Sequence, residues 1–112
     1  MAVGYYELKA AKDGQFFFSL KAANHDTILS SEMYKTKASA QNGIESVQKN
    51  SSEDGQFERK KSTSDKDYFV LKAKNHQIIG QSQMYASADA MENGIESVKK
   101  NGASTEIKDL TA

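Results

Sequence analysis

Shifted by 51 positions, this 112-residue chain meets itself. Leu20–Asn50 reads LKAANHDTILSSEMYKTKASAQNGIESVQKN, and Leu71–Asn101 reads LKAKNHQIIGQSQMYASADAMENGIESVKKN. Seventeen of these 31 aligned positions are identical, without a gap. Upstream the match thins to Glu7 with Glu58, Lys9 with Lys60 and Phe18 with Phe69. A unit of about 50 residues is close to the lower limit for a self-supporting core. Two such units gain by building one core together. The joint Ser-Ser-Glu-Asp-Gly at 51–55 is too short for an independent linker. The repeat therefore predicts one pseudo-two-fold domain over residues 1–112. Its repeats fall at about 4–54 and 55–105, followed by a C-terminal strand at 104–110.

Each unit reads as strand, strand, strand, helix. In the first, residues 5–10 alternate, with Tyr6 and Leu8 on one side and Tyr5, Glu7 and Lys9 on the other. Asp13-Gly14 marks a hairpin turn. Residues 16–22 place Phe16, Phe18, Leu20 and Ala22 on one face and Phe17, Ser19 and Lys21 on the other. Asn24-His25 gives a second turn, and residues 27–31 form a third strand around Ile28. The corresponding strands of the second unit are 56–61, 67–73 and 77–81. There Phe69, Leu71 and Ala73 face inward, and Tyr68, Val70 and Lys72 outward.

Thr36 and Ser87 are expected to cap the helices that follow. Ala40, Ile44 and Val47 recur at i, i+4, i+7, as do Met91, Ile95 and Val98. These stripes are narrow, so each helix is expected to lie on the sheet. Gly43 and Gly94 sit beside them, at a propensity cost of about 1 kcal/mol relative to Ala. Close approach of helix to sheet would compensate. Glu45 with Lys49 and Glu96 with Lys100 are spaced for i, i+4 ion pairs. Asn50 and Asn101-Gly102 are expected to end the helices in the left-handed conformation. The fold class expected is α+β: two tandem β-β-β-α units in one antiparallel sheet, with both helices on one face.

Composition excludes several kinds of function. Leu, Ile, Val and Phe total 20 residues, a lean core, but 15 basic residues balance 15 acidic ones and argue for a folded chain over a disordered one. Fourteen of the 15 basic residues are Lys, and only Arg59 is Arg. Neither half is a basic arm, which argues against a dedicated duplex-DNA binder. Without Cys there is no disulfide framework, thiolate metal site or Cys nucleophile. Met-Ala-Val-Gly-Tyr-Tyr-Glu has neither the basic start nor the apolar stretch of a secretory signal. No apolar run reaches the ~18 residues of a membrane helix. The expectation is a cytoplasmic monomer with an internal pseudo-dimer, no membrane association and no cofactor.

The run LKAxNH, then MY, then NGIESVxKN, occurring twice, resembles the YegP-like family, small bacterial tandem-repeat domains of unknown function. The resemblance covers nearly the whole chain. It implies two β-β-β-α units in one sheet, with the strand after a helix crossing to the other unit and so giving 104–110 a place. It carries no activity. Asp67 stands where the first unit has Phe16, and Gly80 where it has Leu29.

No residue pattern supports catalysis. The seven glycines are dispersed, and no G-x-S-x-G or H-E-x-x-H occurs. Asp65 and Asp67 read as solvated turn carboxylates. His25 and His76 each follow Asn in a turn, where left-handed backbone is tolerated better than by most residues. Met33-Tyr34 and Met84-Tyr85 read as plugs between sheet and helix. Asn42 and Asn93, poor helix formers, call for a side-chain hydrogen bond to a neighbouring strand or loop, or for a ligand. The one feature with binding content is the outward sheet face, carrying Phe17, Lys21, Tyr68 and Lys72, with Tyr5 and Lys9 as extensions. Aromatics beside Lys on an open sheet suit a protein partner or, alternatively, single-stranded nucleic acid.

Overall fold

In the computed structural model, which describes residues 4–111, the seven strands form one sheet. Met1–Val3, part of the amino-terminal signal reading, lie outside the described residues. The strands are β1 (Tyr5–Ala10), β2 (Phe16–Lys21), β3 (Thr27–Ser31), β4 (Phe57–Lys61), β5 (Asp67–Lys72), β6 (Ile78–Gln81) and β7 (Ile107–Asp109). The helices are α1 (Lys37–Asn50) and α2 (Ala88–Asn101), and a single 3-10 turn, Asp54–Gln56, precedes β4. The sheet order is β4-β5-β6-β3-β2-β1-β7. All pairs are antiparallel except β7, which runs parallel to β1. The tail thus follows the second helix and pairs with the first repeat, as the resemblance implied.

The two repeats meet where β3 pairs with β6. Ser30 lies opposite Gln81, its own equivalent 51 positions on, so a pseudo-two-fold axis passes between them. The same axis runs between Ser51 and Gly102, another equivalent pair, where a Cβ on Gly102 would collide with the Ser51 hydroxyl. Near the axis two equivalent side chains compete for one space. A Cβ at Gly80 would lie 2.8 Å from the Ser30 carbonyl and 3.0 Å from Leu29 Cγ. Leu29 occupies that room and is fully buried. The large residue in one copy requires the small one in the other.

Tyr6, Leu8, Phe18, Leu20, Phe69 and Leu71 point into the core against Ile44, Val47, Ile95 and Val98, and all are buried. Alternation along β1, β2 and β5 places them as expected. A bulge between Leu20 and Lys21, repeated between Leu71 and Lys72, shifts the register so that Ile28 and Ile79 also join the core. Thr36 Oγ1 accepts the Ser39 N–H at 3.0 Å, and Ser87 Oγ the Ala90 N–H at 3.1 Å, confirming both caps.

Gly43 and Gly94 face the stacked pairs Phe18–Tyr34 and Phe69–Tyr85. A Cβ at Gly43 would lie 2.5 Å from the Tyr34 hydroxyl and 2.8 Å from Phe18. Close approach is therefore what the glycines permit, and the ring beneath each belongs to the Met-Tyr motif. Tyr34 and Tyr85 pack against the core, whereas Met33 and Met84 remain exposed.

The helix ends differ from expectation. Neither is left-handed: Ser51 follows α1 at φ −67° and Gly102 follows α2 at φ −64°. Asn50 and Asn101 are the last helical residues, and their amides donate back to the Ser46 and Ser97 carbonyls at 2.7 and 2.8 Å. Asn101 Oδ1 also accepts the Gly4 N–H at 2.8 Å, and the Gly102 carbonyl accepts the Tyr6 hydroxyl at 2.6 Å. Gly102 is small because Ser51 is close. The Glu45–Lys49 and Glu96–Lys100 pairs do not form among the described residues. Lys99 instead bonds Asp54 at 2.9 Å and Glu96 at 3.3 Å.

Candidate functional site

Alternation and register position the outward face. Ser19 lies opposite both Glu7 and Ser30, and Val70 opposite both Glu58 and Gln81. A row of small or polar side chains therefore crosses the middle of the helix-free face. Counted from this row, Phe17 and Lys72 sit two residues to one side, and Tyr68 and Lys21 two residues to the other. β2 and β5 are three strand spacings apart, about 14 Å, so Phe17 and Tyr68 stand roughly 20 Å apart on opposite corners. A shallow open depression of about 390 Å³ surrounds the central Ser30–Gln81 pair.

The four expected residues share this face but do not converge. Phe17 and Tyr68 are only half-exposed, opposite Lys9 and Lys60 respectively. Tyr5 is buried, with Lys108 Nζ 4.4 Å from its ring centroid. Val70 is also buried, although it points outward. The lysines are engaged: Glu7 Oε1 lies 3.4 Å from Lys9 Nζ and 3.8 Å from Lys21 Nζ. Glu58 pairs with Lys72 and, at 3.7 Å, with Lys60. The hydrogen bond from Lys72 holds the Glu58 carboxyl below its ordinary range, against the opposing effect of desolvation. The pattern is two lysines sharing one glutamate, in both repeats.

The remaining candidates separate. His25 and His76 adopt φ 73° and 70°, as their turn role requires. Asp65 is left-handed too, at φ 64°, in the place of Gly14. Asp67 is not in the turn but begins β5, where it pairs with Lys61 at 3.3 Å. Asn42 and Asn93 are exposed and make no side-chain hydrogen bond among the described residues, contrary to expectation. His25 is anchored, its Nδ1 2.8 Å from the Tyr5 hydroxyl. Gln56 replaces Tyr5 in the second repeat and donates instead to the Lys72 carbonyl at 2.9 Å, leaving His76 without that partner. No group of three or more His, Cys, Asp or Glu side chains able to hold a metal occurs among the described residues. Among the described residues no helix is long and apolar enough to cross a membrane.

Two serines, identical in the repeats, carried a role that sequence reasoning missed. Ser31 Oγ accepts the Phe18 N–H at 2.8 Å and donates to the Glu32 carbonyl at 2.8 Å. Ser82 does the same for Phe69 and Gln83, at 3.0 and 2.8 Å. Each satisfies backbone groups where the strand leaves the sheet. Their signal was position alone, because a serine in a strand otherwise reads as a solvent-facing residue.

The duplicated β-β-β-α unit, closed into one sheet about a pseudo-two-fold axis, defines a class of small tandem-repeat proteins by its fold. The family described as "Domain of unknown function (DUF1508)" matches twice, over residues 11–58 and 62–109, and the chain belongs to it. The UPF0339 protein YegP of Yersinia pestis is 62% identical over 111 residues, covering 99% of each chain. A UPF0339 protein of Pasteurella multocida is 60% identical over 111 residues, covering 99% of this chain and 97% of its own. Among solved structures, the solution structure of YegP from E. coli, a protein of unknown function, superposes with a TM-score of 0.95 at 52% identity. It covers 100% of this chain and 97% of that one. A UPF0339 protein from Shewanella oneidensis gives 0.92 at 54% identity, over 99% and 93% of the two chains. No catalytic function is named for any of these relatives.

Proposed function

We propose that this chain is a non-catalytic binding module, a cytoplasmic monomer whose two repeats act as one domain. Its helix-free face docks a protein surface of net acidic character. Phe17, Lys21, Tyr68 and Lys72 form the corners of the docking surface. The observation that carries this reading is the charge ratio there: each repeat sets two lysines against one glutamate, on a face no helix covers. The surplus is positive, yet both signs are present. A polypeptide brings carboxylates for the lysines and N–H donors for Glu7 and Glu58. A nucleic-acid backbone brings mainly acceptors and a negative charge on every phosphate, which those glutamates repel. The half-exposed rings of Phe17 and Tyr68 offer contact area.

The test is fluorescence anisotropy at two salt concentrations. The probes are a labelled acidic peptide, a basic peptide of equal length, and mixed-sequence single-stranded RNA and DNA. Saturable, salt-sensitive binding of the acidic peptide supports the reading if Lys21→Glu/Lys72→Glu weakens it about tenfold or more and Phe17→Ala/Tyr68→Ala also weakens it. Circular dichroism checks that each variant is folded. No binding at low salt, or binding of the oligonucleotides in preference to the peptide, overturns it.

A further inference from the structure

On the helix side, the structure brings together residues that the sequence scatters over 48 positions, from Glu32 to Ile79. A cleft of about 590 Å³ opens between α1 of the first repeat and the β5–β6 turn of the second. Gly43, Ala73, Ile78 and Ile79 give it apolar surface, while Glu32, Tyr34, Asn42 and His76 supply polar groups. Asn42 stands one turn from Ser39 and Ser46 along the same helix face, which also lines the cleft. The four polar side chains make no hydrogen bond or ion pair among the described residues. Burial, with the Glu32 charge adding to it, raises the Tyr34 phenol's pKa. No Lys or Arg lines the cleft.

The other repeat did not keep this arrangement. Its equivalents are Gln83 for Glu32, Ala90 for Ser39 and His25 for His76. Gln83 carries no charge, and His25 is tied to Tyr5. Among the described residues, the junction beside α1 combines an unpaired carboxylate with a histidine that lacks the Tyr5 bond, and its equivalent beside α2 does not.

The geometry points to this cleft as a binding site for a small organic ammonium compound with an apolar body. Glu32 supplies the counter-charge, and the Tyr34 hydroxyl and Asn42 amide oxygen accept from the ammonium N–H groups. Gly43, Ile78 and Ile79 cover the apolar part. Glu32 also borders the depression around Ser30 and Gln81, whereas Tyr34, Asn42 and His76 line this cleft and not that depression.

The experiment is an amide-resolved NMR titration of the full chain with phenethylamine, using 2-phenylethanol as the neutral counterpart of the same shape. Saturable shifts are expected at Ser39, Asn42, Gly43, Ser46 and Gln77, with the alcohol at least tenfold weaker. Glu32→Gln, an exposed substitution, is expected to weaken phenethylamine about tenfold. Asn42→Asp adds a second carboxylate and is expected to tighten it several-fold. Equal affinity for the alcohol, unchanged affinity in Glu32→Gln, affinity in Asn42→Asp no tighter than wild type, or shifts that fail to saturate at these residues overturns the assignment.

Discussion

Replacing Gly94 with Ala tests whether the helix glycines exist for close approach. In an open helix the change stabilises by about 1 kcal/mol, because Ala restricts the unfolded chain and has the better propensity. Here the new Cβ would lie 2.7 Å from Tyr85 Cζ and closer still to its hydroxyl, while Phe69 stands at 3.3 Å. Tyr85 is stacked on the fully buried Phe69, so its ring has little freedom to withdraw. Overpacking of this kind costs about 1–3 kcal/mol. The net expectation is a loss of roughly 1 kcal/mol, or about 4 °C in Tm for a domain of this size. In a Tyr85→Leu background the obstruction is gone, and Gly94→Ala should stabilise by up to about 1 kcal/mol. Urea unfolding followed by circular dichroism on the four proteins of this cycle gives both numbers. A rise in midpoint on Gly94→Ala in the parent chain, or the same change in both backgrounds, would refute the reasoning.

Burial raises the Tyr6 hydroxyl pKa well above its ordinary 10.0. The unfolded chain therefore loses this proton first, and the associated stability, fully present below pH 10, falls as pH rises above it. Tyr6→Phe should cost about 1 kcal/mol at pH 7 by removing the bond to the Gly102 carbonyl, and should flatten the alkaline loss in a stability–pH profile. Ser82→Ala leaves the buried Phe69 N–H without its acceptor, at a cost of about 1–2 kcal/mol, with faster hydrogen exchange at that amide. Arg59 donates to Glu92 at 2.5 and 2.9 Å and to Asp54 at 3.1 Å, and these bonds help hold both carboxyls below their ordinary range. In Arg59→Ala both should titrate higher by carbon-detected NMR, while stability changes by less than about 1 kcal/mol because the pairs are exposed.

Where local pattern and tertiary environment agree, the sequence was legible. The alternation of Phe16, Phe18 and Leu20 and the stripe Ala40, Ile44, Val47 placed strands and helix because each period puts one face in the core. Thr36 and Ser87 were readable because a cap acts within three residues of itself. The helix ends were not, because what sets them is distant in sequence: Asn101 answers to Gly4, and Gly102 to Ser51. The candidate face was legible as a set of outward positions. The depth of Phe17, the burial of Tyr5 and Val70, and the pairing of each lysine depend on cross-strand neighbours. The cleft left no trace, since Glu32 and His76 lie 44 positions apart, in different repeats.

By itself, then, the sequence determined the repeat, the order of its elements and the faces they bury, because these follow from periodicity and from a unit too small to fold alone. Only the tertiary structure decided how the copies differ. The axis between Ser30 and Gln81 forces equivalent side chains into shared space, so Leu29 on one side requires Gly80 on the other. The tail pairs with β1, at one edge of the sheet, while the 3-10 turn Asp54–Gln56 closes against β4 through the Asp54 carbonyl. Tyr5 restrains one histidine, and Gln56 leaves its equivalent without that bond. A duplicated sequence is symmetric only along the chain. Packing two copies into one core breaks that symmetry, because two atoms cannot occupy one place on an axis.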